Sequence, residues 1–371
     1  MKQAIRVAHL TTVHPRHDIR IFRKESVSLA QSGHEVHLLV SDGNGEERLA
    51  GVLIHDIGRC SGRALRMILA PLRMWRTARR MRAHVYHFHD PELLGVGLLL
   101  RLGGAHVIYD AHEDVPRAIL SKYWIRPAFR KVVAVVLERF EDFVAAHLSA
   151  VVTATPHITQ RFRRVQPRSV TISNYPLSEE LALPRSNPVH SRTLCYVGGI
   201  GLIRGAAEML RAVELADAKL ILAGPFESPD TEKLLRSLPG WRNVDYRGVV
   251  NRDEVRRIFE QSQAGLLFFH PEPNHVEAQP NKMFEYMSAG LPVLASNFPV
   301  WRNLLEDNGA GLCADPLDPK DIAAVVTRIL DDPESARAMG SRGLAAVMTH
   351  FQWRFEQQKL LDLYSDLLHQ T

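Results

Sequence analysis

Two glutamates separated by seven residues, Glu277 and Glu285, frame the segment Glu277-Ala-Gln-Pro-Asn-Lys-Met-Phe-Glu285, whose residue types suit a diphosphate and a sugar diol. Pro280 fits the first turn of a helix, where its missing N–H costs nothing, and Gly290 with Pro292 supplies a stop. The spacing predicts a helix of roughly two to three turns. Asn281 and Lys282 then sit in its first turn, where free backbone N–H groups and the positive dipole end favour phosphate. Glu285 lies further along the same face, and its carboxylate can accept two hydrogen bonds from a ribose diol. Glu277, on the preceding loop, can reach round the phosphates towards whatever they carry.

Other stretches offer rival chemistry. Tyr196-Val-Gly-Gly-Ile-Gly-Leu-Ile-Arg-Gly205 follows a strand and opens a helix, so Gly199 and Gly201 permit close approach of an anion. Gly199, Gly201 and Gly205 only loosely mimic a dinucleotide fingerprint. The next strand ends in Gly224-Pro225-Phe226 without a ribose-binding acid, which argues against a nicotinamide cofactor. In Val85-Tyr-His-Phe-His-Asp90, strand alternation puts His87 and His89 on one face, as in the metal pair of a hydrolase, although further ligands would have to come from other strand ends. Thr11 to Arg20 is a basic loop, with Arg16 and Arg20 as contacts for an anionic acceptor. From Arg59 to Arg82 there are eight arginines and no acid. Pro71 is expected to end or kink a helix there, after which Arg73, Arg76 and Arg80 share a face beside Leu72, Met74 and Trp75. That pattern reads as a helix on an anionic membrane surface; no nucleic-acid motif accompanies the charge.

The elements that must position these residues alternate. Short β-branched runs (Ile5 to Leu10, Val36 to Val40, Val52 to Ile54, Val85 to His89, Val107 to Tyr109, Val151 to Thr153, Val170 to Ile172) are separated by helical stretches. The polar stretch Ser178 to Ser191 breaks the rhythm as a linker, and alternation restarts at Thr193 to Val197, Lys219 to Ala223, Val244 to Tyr246, Ala264 to Phe268 and Pro292 to Ala295. Two doubly wound α/β domains in series follow, about 1–180 and 190–350, with ligands at the carboxyl ends of their strands. A length of 371 residues exceeds one ordinary core, and 46% hydrophobic with 23% charged residues is globular composition. Residues 1–185 hold 27 Lys+Arg against 17 Asp+Glu, a balance of +10. The remainder holds 19 against 24, or −5. No apolar run nears the ~20 residues of a membrane span, and Cys60, Cys195 and Cys313 show no metal or disulfide spacing. A cytoplasmic location is the expectation.

The Glu277/Glu285 pair, the preceding strand Ala264 to Phe268, the Pro-Asn-Lys-x-Phe-Glu-Tyr-Met run and the following Leu291-Pro-Val-Leu-Ala-Ser296 together resemble the nucleotide-sugar glycosyltransferases of the GT-B fold, most closely family 4 of the bacterial surface-polysaccharide type. The resemblance implies two Rossmann-like domains with an interdomain cleft, and a last helix, about 353–371, that returns to the first domain. It makes the first domain the acceptor side and the second the nucleotide-sugar side. It further implies a nucleotide sugar donor, a glycan or polyprenyl-diphosphate-linked acceptor, retention of anomeric configuration, and no metal or other cofactor. His112, in Asp110-Ala-His-Glu-Asp114, matches a family histidine facing the donor sugar, with Glu113 as the alternative and Asp114 as a helix cap. Where relatives present Arg and Lys to the diphosphate, this chain has Gly199 and Arg204, so Arg204 and Lys282 must carry the charge compensation. Catalytic roles then fall to His112, Glu277 and Arg204, donor binding to Gly199, Gly201, Arg204, Asn281, Lys282 and Glu285, and acceptor contacts to Arg16, Arg20, His89 and Asp90. A nucleotide-sugar epimerase of the same fold, or a hydrolase with a metal on His87 and His89, are the alternatives.

Overall fold

The computed structural model describes residues 4–60, 62–120, 125–177 and 192–369. The chain forms two compact units, one running to Asn174 and resuming at Trp353, the other Tyr175–Gln352. The stretch Ser178 to Ser191, read as a linker, lies outside the described residues.

Among the described residues the first unit is built on eight strands: β1 (Arg6–Leu10), β2 (Glu35–Val40), β3 (Glu47–Leu49), β4 (Val52–Asp56), β5 (Val85–Phe88), β6 (His106–Ala111), β7 (Ala150–Thr153) and β8 (Ser169–Thr171). Their order is β3-β4-β2-β1-β5-β6-β7-β8, parallel throughout except for β3 against β4. Inner strands such as Val36 to Val40 are buried as near-continuous apolar runs because helices cover both faces. The chain winds away from β1 in both directions, to β2 and to β5. The carboxyl ends of β1, β5 and β6 are therefore the switch region where ligands collect.

Two helices in this unit depart from the sequence expectation. The helix Arg63–Met81 continues past Pro71 instead of ending there. Between β1 and β2 the segment Ile19–Ser26 is π-helical and continues as α-helix over Val27–Gln31. The Asp18 carboxylate starts it by accepting the Arg20 and Ile21 amides at 2.8 and 2.9 Å. Ser26 Oγ donates to the Ile21 carbonyl at 2.7 Å, across the five-residue step of this wider winding. The result buries Arg20, Lys24 and Glu25 together. The helix Trp353–Leu368 packs on the same unit: Trp353 Nε1 donates to Ser28 Oγ at 2.9 Å, Glu356 Oε2 accepts the Ser173 amide at 2.8 Å, and Tyr364 Oη lies 3.0 Å from His87 Nδ1.

Among the described residues the second unit has six parallel strands, β9 (Thr193–Val197), β10 (Lys219–Ala223), β11 (Val244–Tyr246), β12 (Ala264–Leu267), β13 (Val293–Ser296) and β14 (Gly311–Ala314), in the order β11-β10-β9-β12-β13-β14. Here β9 lies at the switch. The helix Asn281–Ser288 leans on this sheet because Gly265 has no side chain to hold it off: a Cβ there would overlap the Tyr286 ring. Tyr286 Oη accepts the Val197 amide at 3.3 Å, which ties the helix to the end of β9. Gly290, at φ +65°, ends the helix. Its amide bonds the Met287 carbonyl at 3.0 Å and the Leu291 amide the Tyr286 carbonyl at 2.9 Å, the paired bonds of a Schellman stop.

Candidate active site

In the second unit, β9 ends in a turn at Gly198 and Gly199 that two cations approach from different elements. Gly198 has φ +141°, and a Cβ on it would overlap the end of the Lys282 side chain. A Cβ on Gly199 would lie 2.7 Å from Arg204 Nη1. Arg204 donates from that nitrogen to the Gly199 carbonyl at 3.2 Å, and Tyr196 Oη donates to the same oxygen at 2.8 Å. Gly205, at φ +69°, abuts the Phe268 carbonyl, so the short turn Leu202–Arg204 presses against β12 and Arg204 projects beside the glycines. Lys282 Nζ sits 5.6 Å over the Tyr196 ring. Burial, with the Arg204 charge adding to it and Glu285 opposing, pulls the Lys282 ammonium down to about 8. Two positive groups at a glycine turn, beside the amino end of a helix, are an arrangement chemically suited to an anion.

The remaining donor-side residues surround this turn. Asn281 is exposed at the first position of its helix. Gly201 lies against Glu227, whose Oε2 a Cβ would approach to 2.6 Å. Glu277 is half-buried at the end of the short helix Pro273–Val276, and Trp301 Nε1 pins the next carbonyl, Ala278, at 2.7 Å. Glu285 is half-buried, with Oε1 accepting from Arg252 Nη1 at 2.8 Å. Arg252 was not singled out from the sequence. The available signal was Asn251 with Glu254, a capping box that starts the helix Arg252–Gln261 after β11 and puts an arginine in its first turn.

In the first unit, His112 follows β6, half-buried, with Nε2 2.9 Å from Asp110 Oδ2 and 3.1 Å from His89 Nδ1. Asp110 itself is fully buried and clamped by Arg20, whose Nε and Nη2 each donate to it at 2.8 Å. Although burial opposes ionisation, the Arg20 charge holds the Asp110 carboxyl well below its usual range. Asp114 starts the helix Val115–Leu120 by accepting the Arg117 amide at 3.4 Å, as a cap does.

The acceptor contacts expected from the sequence are placed otherwise. Arg20 is 3% exposed and spent on Asp110, Glu25 and the Ile172 carbonyl. Arg16 is held by Asp42 at 2.7 Å and Glu47 at 2.9 Å. Asp90 is buried under the Thr11–His14 turn, taking the Thr11 hydroxyl at 2.8 Å, the Thr12 amide at 2.6 Å and His14 Nδ1 at 3.0 Å. Burial works against its ionisation, yet His14 and these donors hold it at about 2. His89 is 2% exposed, stacked on His9 and His87. Arg20, His89 and Asp90 are buried in the packing of this unit, out of an acceptor's reach, while Arg16 keeps partial exposure with its guanidinium held by Asp42 and Glu47. The hydrolase alternative fails on the same ground, since His87 is wholly buried and no substrate reaches it. Only burial, which sequence does not reveal for a charged residue in a polar loop, separates these roles.

Comparison with known proteins agrees with this geometry. The family model for glycosyl transferases group 1 matches residues 184–345, and that for the glycosyl transferase 4-like domain matches residues 20–175. The chain belongs to the GT-B glycosyltransferases of family 4 type. The glycosyltransferase is similar to the MMP alpha-(1->4)-mannosyltransferase of Mycolicibacterium hassiacum, 22% identical over 74% of this chain and 69% of that enzyme. It is also similar to the D-inositol 3-phosphate glycosyltransferase of Xylanimonas cellulosilytica, 25% identical over 69% of this chain and 62% of that enzyme. Among solved structures, its fold is shared with sucrose-phosphate synthase from Thermosynechococcus elongatus, at TM-score 0.80 and 16% identity over 99% of this chain and 100% of that one. Anabaena Alr3699/HepE in complex with UDP and glucose gives TM-score 0.73 and 13% identity over 98% and 100%. These two likenesses establish the two-domain α/β architecture with its terminal helix.

Proposed function

We propose that the enzyme transfers a sugar from a nucleoside diphosphate sugar to a hydroxyl of a glycan or polyprenyl-diphosphate-linked acceptor, with retention of configuration, in surface-polysaccharide assembly. The observation that supports this reading is the Gly198–Gly199 turn flanked by Lys282 and Arg204. In this reading the diphosphate lies on that turn and the Asn281 amide end of the helix, while Glu285 accepts the ribose hydroxyls. Glu277 holds donor-sugar hydroxyls, and His112 is the histidine assigned to the donor sugar. The bond from the anomeric carbon to the phosphate oxygen breaks as the acceptor oxygen bonds that carbon on the same face, and the acceptor proton passes to the departing phosphate. Arg204, Lys282 and the helix amides stabilise the leaving charge, with no metal in this step.

A thermal-shift panel of nucleoside diphosphates and their sugars identifies the donor, because a bound ligand raises the melting temperature by mass action. Glu285→Ala is then expected to weaken binding of the identified nucleoside diphosphate by roughly 1–3 kcal/mol, measured calorimetrically. Glu285→Gln, which keeps the shape beside Arg252, should fall between. Unchanged affinity in a folded Glu285→Ala protein would move the ribose elsewhere.

The acceptor side of the proposal is a peripheral position on an anionic membrane, from the cytoplasmic side. No helix of the described residues is long and apolar enough to cross a membrane. Arg73, Arg76 and Arg80 are exposed on the helix Arg63–Met81, where Met67, Ile68 and Leu72 are exposed as well. The helix Pro127–His147 adds an uncovered apolar stripe of Phe129, Val132, Val136, Phe140 and Phe143, with exposed Arg126, Lys131 and Arg139. Each basic side chain near such a surface contributes about 1 kcal/mol, weakened by salt. Replacing the three arginines with glutamine should release the protein from anionic vesicles in a flotation assay while sparing activity on a soluble acceptor analogue. A native protein that ignores anionic vesicles at low salt rules this location out.

A further inference from the structure

Beneath the carboxyl ends of β1 and β5 lies a cluster that sugar transfer does not use. His9 and His87 face each other across the β1–β5 pairing, and His89 stacks on both, with ring centroids 5.2 Å and 4.9 Å away. Glu25, from the π-helical segment, reaches the same point. Exposure is nil for His9, Glu25 and His87 and 2% for His89. Both Glu25 oxygens, His9 Nε2 and His87 Nε2 are buried without a hydrogen-bond partner. On the other edge of the rings, Glu25 Oε2 lies 3.9 Å from His9 Nδ1 and 3.9 Å from His87 Nδ1, which also faces Tyr364 Oη at 3.0 Å, while His9 Nδ1 is 2.9 Å from His89 Nε2.

We propose that His9, Glu25, His87 and His89 bind a zinc ion that staples β1, β5 and the π-helical segment together. Four donors at ordinary Zn–N and Zn–O distances stand roughly 3.3 Å apart in a tetrahedron. The observed separations straddle that value, and the ligand atoms all lie within 4.8 Å of one another. Three imidazoles and one carboxylate, with no thiolate, suit zinc among divalent ions, and four protein ligands in a sealed place suit a structural ion. The outer shell is in place: His89 turns its Nδ1 to Asp110 Oδ2 at 3.0 Å, the carboxylate–histidine pairing that fixes a metal ligand's orientation. Charge points the same way. Two carboxylates, Asp110 and Glu25, are buried here against one guanidinium, Arg20, which is 3.1 Å from Glu25 Oε1 without hydrogen-bond geometry. A dication answers that imbalance and gives the Glu25 oxygens the ligation that the off-axis Arg20 contact does not supply. Because His89 and Asp110 both touch His112, the ion also holds that half-exposed imidazole in place. The site is in the first unit and independent of the donor chemistry proposed above.

Metal content of the untagged full-length protein, measured by plasma mass spectrometry after dialysis, tests this directly. About one zinc per chain is expected, lost in Glu25→Gln and in His9→Asn. Should either variant fail to fold, the wild-type protein is unfolded with a chelator and refolded with and without Zn²⁺. Zinc should raise the melting temperature by roughly 5–10 °C, and Co²⁺ in its place should give the strong visible absorption of a tetrahedral site. Chelator added only during an activity assay leaves turnover unchanged, because so buried an ion escapes slowly. A wild-type protein that purifies without metal and refolds to the same melting temperature with or without Zn²⁺ overturns the proposal and makes Glu25 a buried protonated acid. Zinc retained in both folded variants overturns it too.

Discussion

Replacing Arg204 with alanine is expected to lower kcat by about 10²–10³-fold at saturating donor, the scale seen when a preorganised stabiliser of developing charge is removed. Leaving-group charge peaks in the transition state, so the loss should exceed the loss in nucleotide affinity. Arg204→Lys should recover part of it. The Arg204 contact to the Gly199 carbonyl makes a fold control necessary, and an unchanged melting temperature in the variant supplies it. Wild-type turnover in a folded Arg204→Ala protein would show that this arginine does not face the leaving group. Lys282 gives the same site a pH signature. Its ammonium is held at about 8 without ligand, and a diphosphate should restore its affinity for the proton. Binding above pH 8 must therefore take up a proton, so donor affinity falls as pH rises through that value and is flat below it. Lys282→Arg should abolish the falling limb.

Arg20→Met should cost roughly 3–5 kcal/mol of stability, because it leaves Asp110 and Glu25 buried without their guanidinium. For a unit of this size that is a fall in melting temperature of roughly 10 °C or more. The sign of the pH dependence is fixed as well. In the native protein Asp110 is held below its usual range, so its contribution is present above the ordinary carboxylate range, about 4, and disappears as pH falls through the native value. The deficit of the variant should thus be largest near neutrality and shrink on acidification. An acceptor-binding Arg20 would instead leave the melting temperature unchanged and raise KM for the acceptor.

The architecture was legible because parallel strands buried on both faces announce themselves as short apolar β-branched runs, and because the Asn281 helix carries its own start and stop. β14 escaped, since Gly311-Leu-Cys-Ala314 has no β-branched residue and is a strand only by pairing with β13. β3 escaped for a related reason: it is a three-residue edge whose two end residues are charged and apolar in no periodic pattern. On the donor side, the residues named from local spacing lie on the elements foreseen, because a turn and the helix beside it are local objects. The first unit was harder. His9, Glu25, His89 and Asp110 come from four segments far apart in sequence, and nothing within any one segment tells that they meet. Arg20 illustrates the limit: in a run as polar as Thr11 to Arg20, a buried arginine and a solvated one are spelled alike.

The helix from Trp353 has a consequence for biosynthesis. It supplies the Trp353 and Glu356 hydrogen bonds and the Tyr364 hydroxyl to the first unit, yet it is translated after all of Tyr175–Gln352. The half of the protein that leaves the ribosome first must wait for the half that follows it before its packing can close, whereas the second unit has all its strands as soon as it emerges. During that interval His87 on β5 and the Ser173 amide beyond β8 lack the partners that the helix brings, which leaves the nascent first unit more open to misfolding than the second.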